Sequence, residues 1–350
     1  DTIPLTPTGK TDKRQLLMML EESTVSVERP AGFNDTEYSL LLIWRKILNR
    51  NAINLDDDFF QLGGSSLQAA RLIIESGRQF ARHFSVQTLY DAPTLRELAD
   101  IIGQKNAALI QDESAQWRQD ARLPEDIQPL PDTAQDWSTL KEAAVLLTGA
   151  TGFLGAFFLR DLLAIPDVKK VICLIRANDE VAARQRIEQN LLQYGLWDPV
   201  FSQRIIVVTG DLALPKLGLS DGLYSRLATE CDVIFHLAAH VNYIQPYQAH
   251  RAANIDGTLN ILRLATQSKP KPLHYVSTIA AYGPAGLFNK TERIYEGDDV
   301  TPYAEGLKYD SGYSQSQWVV EQFVWEASRR GIPLSVYRPG FIMGDSANGR

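Results

Sequence analysis

Apolar positions along the chain follow two different periods. From Asn34 to about residue 105 they recur at helical spacing: Leu40, Ile43, Trp44, Ile47 and Leu48 make one stripe, and Leu67, Ala70, Ile73 and Ile74 make another. A third helix starts at Thr94, where Thr94 and Glu97 have capping-box spacing, Pro93 precedes, and Leu95, Leu98, Ala99 and Ile102 follow. Residues 33–105 are therefore expected to fold as a small all-α bundle. From Lys141 onward short β-like apolar runs alternate with helical segments, and AAVLLTG, KKVICLI, RIIVVTG, DVIFHLAA, LHYVST and PLSVYRP read as strands. That alternation predicts an α/β domain over 141–350 with a doubly wound parallel sheet.

Two polar stretches separate these units. Residues 1–32, rich in Pro, Thr, Lys and Glu and ending in Pro30-Ala31-Gly32, read as a tail and linker. Residues 106–140, punctuated by Pro124, Pro129 and Pro131 and without sustained periodicity, read as a second linker. A chain of 350 residues has room for more than one core. A net charge of -7 argues against a broad basic field, so neither nucleic acid nor a membrane surface is an expected partner. Cys173 and Cys231 sit in apolar runs and make neither a disulfide framework nor a metal spacing. The start, Asp1-Thr2-Ile3-Pro4, lacks the pattern of a signal peptide, and no run approaches about 18 apolar residues. A reducing, cytoplasmic setting is the default expectation.

Candidate chemistry begins at Asp56-Asp57-Asp58-Phe59-Phe60-Gln61-Leu62-Gly63-Gly64-Ser65-Ser66-Leu67, which puts a serine behind two glycines at the head of the second helical stripe. A plain helix N-cap would explain a serine there. The wider segment resembles the peptidyl- and aryl-carrier proteins of nonribosomal peptide synthetases, and the likeness covers the whole 33–105 bundle. It implies that Ser66 accepts 4′-phosphopantetheine from a phosphopantetheinyl transferase, with Ser65 at the variable position. A helix N-terminus suits the resulting phosphodiester. Asp56 to Asp58 read as a solvated loop face. Upstream, Pro4-Leu5-Thr6-Pro7-Thr8-Gly9-Lys10 resembles the last motif of an adenylation domain, which implies such a domain as a partner.

After the first strand come Gly149-Ala150-Thr151-Gly152-Phe153-Leu154-Gly155, followed by a helical run, which is the context a dinucleotide pyrophosphate needs. The second strand ends in Arg176 rather than an acidic residue, which favours NADP over NAD. Arg186 reads either as a second phosphate contact or as a helix-surface charge. Gly210-Asp211-Leu212 and His236-Leu237-Ala238-Ala239 resemble the next cofactor-lining segments of extended short-chain dehydrogenases and reductases. His236 itself reads as a satisfied histidine, not a catalyst.

That family uses a Ser/Thr, a Tyr and a Lys four residues after the Tyr. On a helix the last two share a face, so the ammonium lowers the tyrosine pKa and the tyrosine donates a proton. By resemblance Thr278 fills the Ser/Thr position and Tyr313 the proton donor, but position 317 is Gln. Gln317 can bond a ribose hydroxyl yet cannot favour a tyrosinate. Weakened reduction is the expectation, whether Gln317 is natural or a deliberate substitution.

A carrier followed by such a reductase resembles the terminal thioester-reductase modules of nonribosomal peptide synthetases, α-aminoadipate reductases and carboxylic acid reductases. The resemblance implies NADPH-dependent release of an acyl or peptidyl thioester from Ser66 as an aldehyde, with further reduction to an alcohol left open, and docking of carrier on reductase. It also implies a substrate lobe that 141–350 largely lacks. Asn242, Tyr243 and Pro246 read equally as arm-lining and as plain loop residues. A non-reducing or cyclising release module and a carrier-linked ketoreductase remain alternatives; the fused carrier speaks against an epimerase.

Overall fold

A computed structural model of the chain describes residues 29–80, 84, 86–103, 114–243, 245–342, 344–346 and 349. The tail 1–28, with the Lys10 motif, lies outside the described residues. Contacts gather the described residues into two units, those within 29–65 and 92–103, and those within 66–91 and 114–349.

In the first unit the Asp35–Leu48 helix is opened by a reciprocal cap between Asn34 and Glu37. It packs on the Leu95–Gly103 helix, burying Leu40, Leu41, Trp44, Leu95 and Leu98. The expected cap there forms: Glu97 accepts from the Thr94 amide, and Thr94 Oγ1 accepts from the Glu97 amide. Phe59 is fully buried, edge-on to Trp44 at 5.2 Å. A side chain at Gly64 would meet the Phe59 ring at 2.3 Å, so the glycine and the phenylalanine of this motif are one steric unit. The acidic run does more than face solvent. Asp58 accepts from the Phe60 and Gln61 amides, and Asp56 pairs with Arg96 at 2.7 Å.

The second unit includes the Ser66–Phe80 helix, whose first residue is Ser66, and a short Val86–Asp91 helix that the apolar pattern does not announce. Its main body is a parallel sheet of β1 (Ala143–Thr148), β2 (Val168–Ile175), β3 (Ile205–Thr209), β4 (Val233–His236), β5 (Leu273–Val276) and β6 (Leu334–Tyr337). The strands lie in the order β3-β2-β1-β4-β5-β6, a six-stranded Rossmann arrangement. Strand order reverses between β1 and β4, and a crevice opens beyond their carboxyl ends. One face buries Val145, Leu147, Val171 and Val233 against the Phe153–Ala164 and Glu180–Gln193 helices. The other buries Leu146, Ile172, Ile234 and Tyr275 against the Gly257–Ala265 and Gly312–Arg329 helices. Both cysteines are fully buried, and desolvation pushes the thiols up to about 12 for Cys173 and about 11 for Cys231.

The stretch expected to be a linker is a correction from Ser114 onward. Residues 114–120 form a helix, and Trp117, Leu123 and Ile127 enter the core. Asp120 accepts from Arg251 Nε and Nη2, at 2.7 and 2.8 Å, and from the Tyr247 hydroxyl at 2.7 Å. Arg330 donates to the carbonyls of Leu123, Pro124 and Ile127. The polar sequence hid this strap because its anchors are single residues without a period.

Candidate active site

The glycine loop after β1 folds as its spacing requires. Gly149 adopts φ +80°, and a methyl there would approach the Ala238 amide nitrogen to 2.8 Å. A methyl at Gly155 would stand 2.0 Å from the Gly149 carbonyl oxygen. The following Phe153–Ala164 helix presents its amino end to the same crevice. Gly155→Ala is therefore expected to weaken dinucleotide binding about 10- to 100-fold, as overpacking of 1–3 kcal/mol implies. Calorimetric titration with NADPH measures it.

A cavity of about 440 Å3 gathers Gly149, Thr151, Gly152, Phe153, Leu154 and Gly155 with Arg176, Arg186, Asp211, Leu212 and Ala238. All the dinucleotide positions read from the sequence outside the catalytic helix thus share one crevice, of a size suited to a cofactor. Arg186 is exposed, lines the cavity and donates to the Arg176 carbonyl. Asn190, missed in the sequence, donates to the Ala150 and Gly152 carbonyls and braces the loop.

Thr278, Tyr313 and Gln317 are not among the residues lining that cavity. Tyr313 begins the Gly312–Arg329 helix, capped by Ser311, and is 7% exposed. Burial, with a smaller push from Tyr243, raises its phenol to about 12; the neighbouring Thr278 side chain pulls the other way. Gln317, 1% exposed, accepts from the Tyr275 hydroxyl at 2.5 Å, so the sheet side of the site occupies its carbonyl oxygen. The link to the crevice runs through Asn254. It accepts from the amide of cavity-lining His240 and donates to Ser316 Oγ, which itself donates to the Tyr313 carbonyl. Asn254 lies in a π-helical segment, Arg251–Asp256, for which periodicity gives no signal.

His236 fulfils the expectation of a satisfied core residue. Thr258 Oγ1 donates to the Asn254 carbonyl at 2.6 Å, so it accepts from His236 Nε2 at 3.0 Å. Nδ1 then accepts from Thr148 Oγ1 at 2.7 Å, and Thr148 accepts from the Ala238 amide. The ring is neutral, and burial lowers its pKa from 6.5 to about 4. The unfolded chain binds the proton more tightly, so this contribution is complete above pH 6.5 and is lost as pH falls toward about 4. The stake is about 3 kcal/mol. Urea unfolding between pH 7 and 4 is expected to show an acid decline that is shallower in His236→Gln.

Fold and site together define a Rossmann domain with a dinucleotide cradle, in the same chain as a helical carrier region. The chain belongs to the NAD-binding family described as Male sterility protein, matched over residues 147–350, and residues 39–102 match the phosphopantetheine attachment site family. The nonribosomal peptide synthetase asaC of Aspergillus flavus is 41% identical over all of this chain and 35% of its own length. The L-2-aminoadipate reductase of Saccharomyces cerevisiae is 32% identical over all of the chain and 27% of its own length. The chain thus spans about a third or less of the length of the curated relatives it matches. Among solved structures, the terminal R domain of the myxalamid PKS-NRPS biosynthetic pathway is 41% identical, covering 67% of this chain and 57% of that one, with TM-score 0.58. A thiolation-reductase di-domain from an archaeal non-ribosomal peptide synthetase is 25% identical, covering 93% and 67%, with TM-score 0.53. The chain thus joins a phosphopantetheine attachment domain to an NAD-binding domain similar to the reductase domains of nonribosomal peptide synthetases. Among the described residues no helix is long and apolar enough to cross a membrane.

Proposed function

We propose that the chain reduces an acyl or peptidyl thioester carried on a phosphopantetheine at Ser66, with NADPH as the reductant, and releases it as an aldehyde. The observation that carries this reading is the buried Tyr313, beside the Thr278 hydroxyl and tied through Ser316 and Asn254 to the crevice of the glycine cradle, in a chain that also carries the Ser66 motif. Bound in the cradle, the reduced dinucleotide supplies the hydride. Gly149, Gly152 and Gly155 admit its pyrophosphate, and Arg176 with Arg186 faces the adenosine 2′-phosphate, which supports NADPH over NADH. The Thr278 hydroxyl holds the thioester carbonyl oxygen, and the Tyr313 hydroxyl donates its proton to that oxygen as charge develops. A flexible arm on Ser66 keeps the thioester at about millimolar effective concentration. An upstream adenylation domain and a phosphopantetheinyl transferase are the partners this reading needs.

Gln317 makes the reaction slow, because no ammonium offsets the burial of the Tyr313 phenol. Its engagement by Tyr275 also supports a second reading, release without reduction, by hydrolysis or cyclisation. The test is to load Ser66 with an acyl-phosphopantetheine and assay products by mass spectrometry. Free aldehyde with matching NADPH loss, absent in Ser66→Ala, is expected. Free acid or cyclic product without NADPH loss would sink the reductive reading.

A further inference from the structure

The Gly312–Arg329 helix meets β5 at three successive turns of one face. Tyr313 lies beside Thr278, Gln317 accepts from Tyr275, and Glu321 accepts from Ser277 Oγ at 2.5 Å. The third contact stands apart from the other two. Glu321 is fully buried and carries a charge, and its partner Arg338 is 11% exposed. Arg338 Nη2 reaches Glu321 Oε2 at 2.6 Å, and Nε lies 2.9 and 3.0 Å from the two carboxylate oxygens. Nη1 donates to the Glu296 carbonyl at 3.0 Å, and the guanidinium lies over Tyr282 at 5.0 Å and Trp325 at 5.7 Å. The backbone beside it is paired as well: Ser277 donates to the Tyr337 carbonyl at 2.7 Å, and Ile279 donates to that of Pro339 at 3.2 Å.

A buried ion pair is poor value as a source of stability, since apolar residues of similar volume often replace it without loss. What a forked guanidinium and a carboxylate supply is fixed geometry. We propose that Glu321 and Arg338 are positioning residues that clamp Ser277, and therefore the adjoining Thr278, to the helix that carries Tyr313. The proposal deepens the reductive reading above and rests on it for the roles of Thr278 and Tyr313. The clamp reaches from the end of β6 across the end of β5 to the third turn of the helix. It leaves Thr278 Oγ1 accepting from the Ala280 amide at 3.1 Å, beside Tyr313.

The test uses the whole 350-residue chain. Arg338→Met and Glu321→Met are made singly and together. Each single variant leaves a partner uncompensated and loses thermal stability, while the double variant recovers part of it, since Ser277 Oγ and Trp325 Nε1 still lose their acceptor. If the pair positions the site, the double variant still shows about tenfold faster amide exchange at residues 280–283. It also shows turnover about tenfold or more below the parent, with NADPH affinity within about twofold, as a small misplacement of reacting groups predicts. Parental exchange at 280–283 in the double variant would overturn the clamp. A parent that binds NADPH but makes no aldehyde would overturn the reductive reading, and the exchange measurement would still decide the clamp.

Discussion

Replacing Gln317 by Lys is expected to raise the rate of NADPH oxidation by an acyl thioester on Ser66 about 100-fold, in the range general acid catalysis supplies. The Tyr313 phenol is pushed up to about 12 by burial, which makes it a reluctant acid near neutrality. An ammonium on the same helix face would favour the phenolate and so bring that value down. The space exists, because position 317 already points at the Tyr275 hydroxyl 2.5 Å away, and a lysine there reverses that bond by donating to it. The Glu321 carboxylate one turn further on is already satisfied by Arg338 and Ser277, so it does not draw the new ammonium away. Single-turnover kinetics with loaded carrier read the gain. An unchanged rate, with NADPH still bound, would mean that proton donation does not limit the reaction.

Asp120→Ala should be the most damaging substitution outside the site. Burial pushes its carboxyl up, but hydrogen bonds from Arg251, Tyr247 and Gln116 outweigh that and hold it below the ordinary carboxylate range. Its side chain is 4% exposed, and its loss strands a buried tyrosine hydroxyl and an arginine. Because Arg251 is about a third exposed, the cost falls at the low end for broken buried pairs, about 3 kcal/mol. At about 2–4 °C per kcal/mol for a domain of this size, the melting temperature should fall by about 10 °C. A fall of less than about 2 °C by calorimetry would show that the strap is ornamental to the fold.

The six strands were legible because each is a short, largely apolar run between helical stretches, and the sheet order follows from the ordinary crossover rules. The glycine cradle was legible for a steric reason: Gly149 and Gly155 leave no room for a methyl, so the motif and the shape are the same fact. Arg186 was ambiguous, since a helix-surface arginine looks the same in sequence whether it faces water or a crevice. The strap was illegible because Trp117, Asp120 and Arg330 find their partners through tertiary contacts far along the chain. Asn254, Ser316 and Glu321 were missed for a related reason. They are polar residues inside helices, and a sequence gives no sign of which of these are buried and bonded.

The two sealed thiols make the Rossmann unit its own reporter. Cys173 lies in β2 and Cys231 just ahead of β4, on opposite faces of the sheet, and neither ionises at neutral pH in the folded state. An alkylating reagent can therefore reach each sulfur only when its own side of the domain opens. Labelling rates resolved by peptide would time the two halves separately, without any added probe.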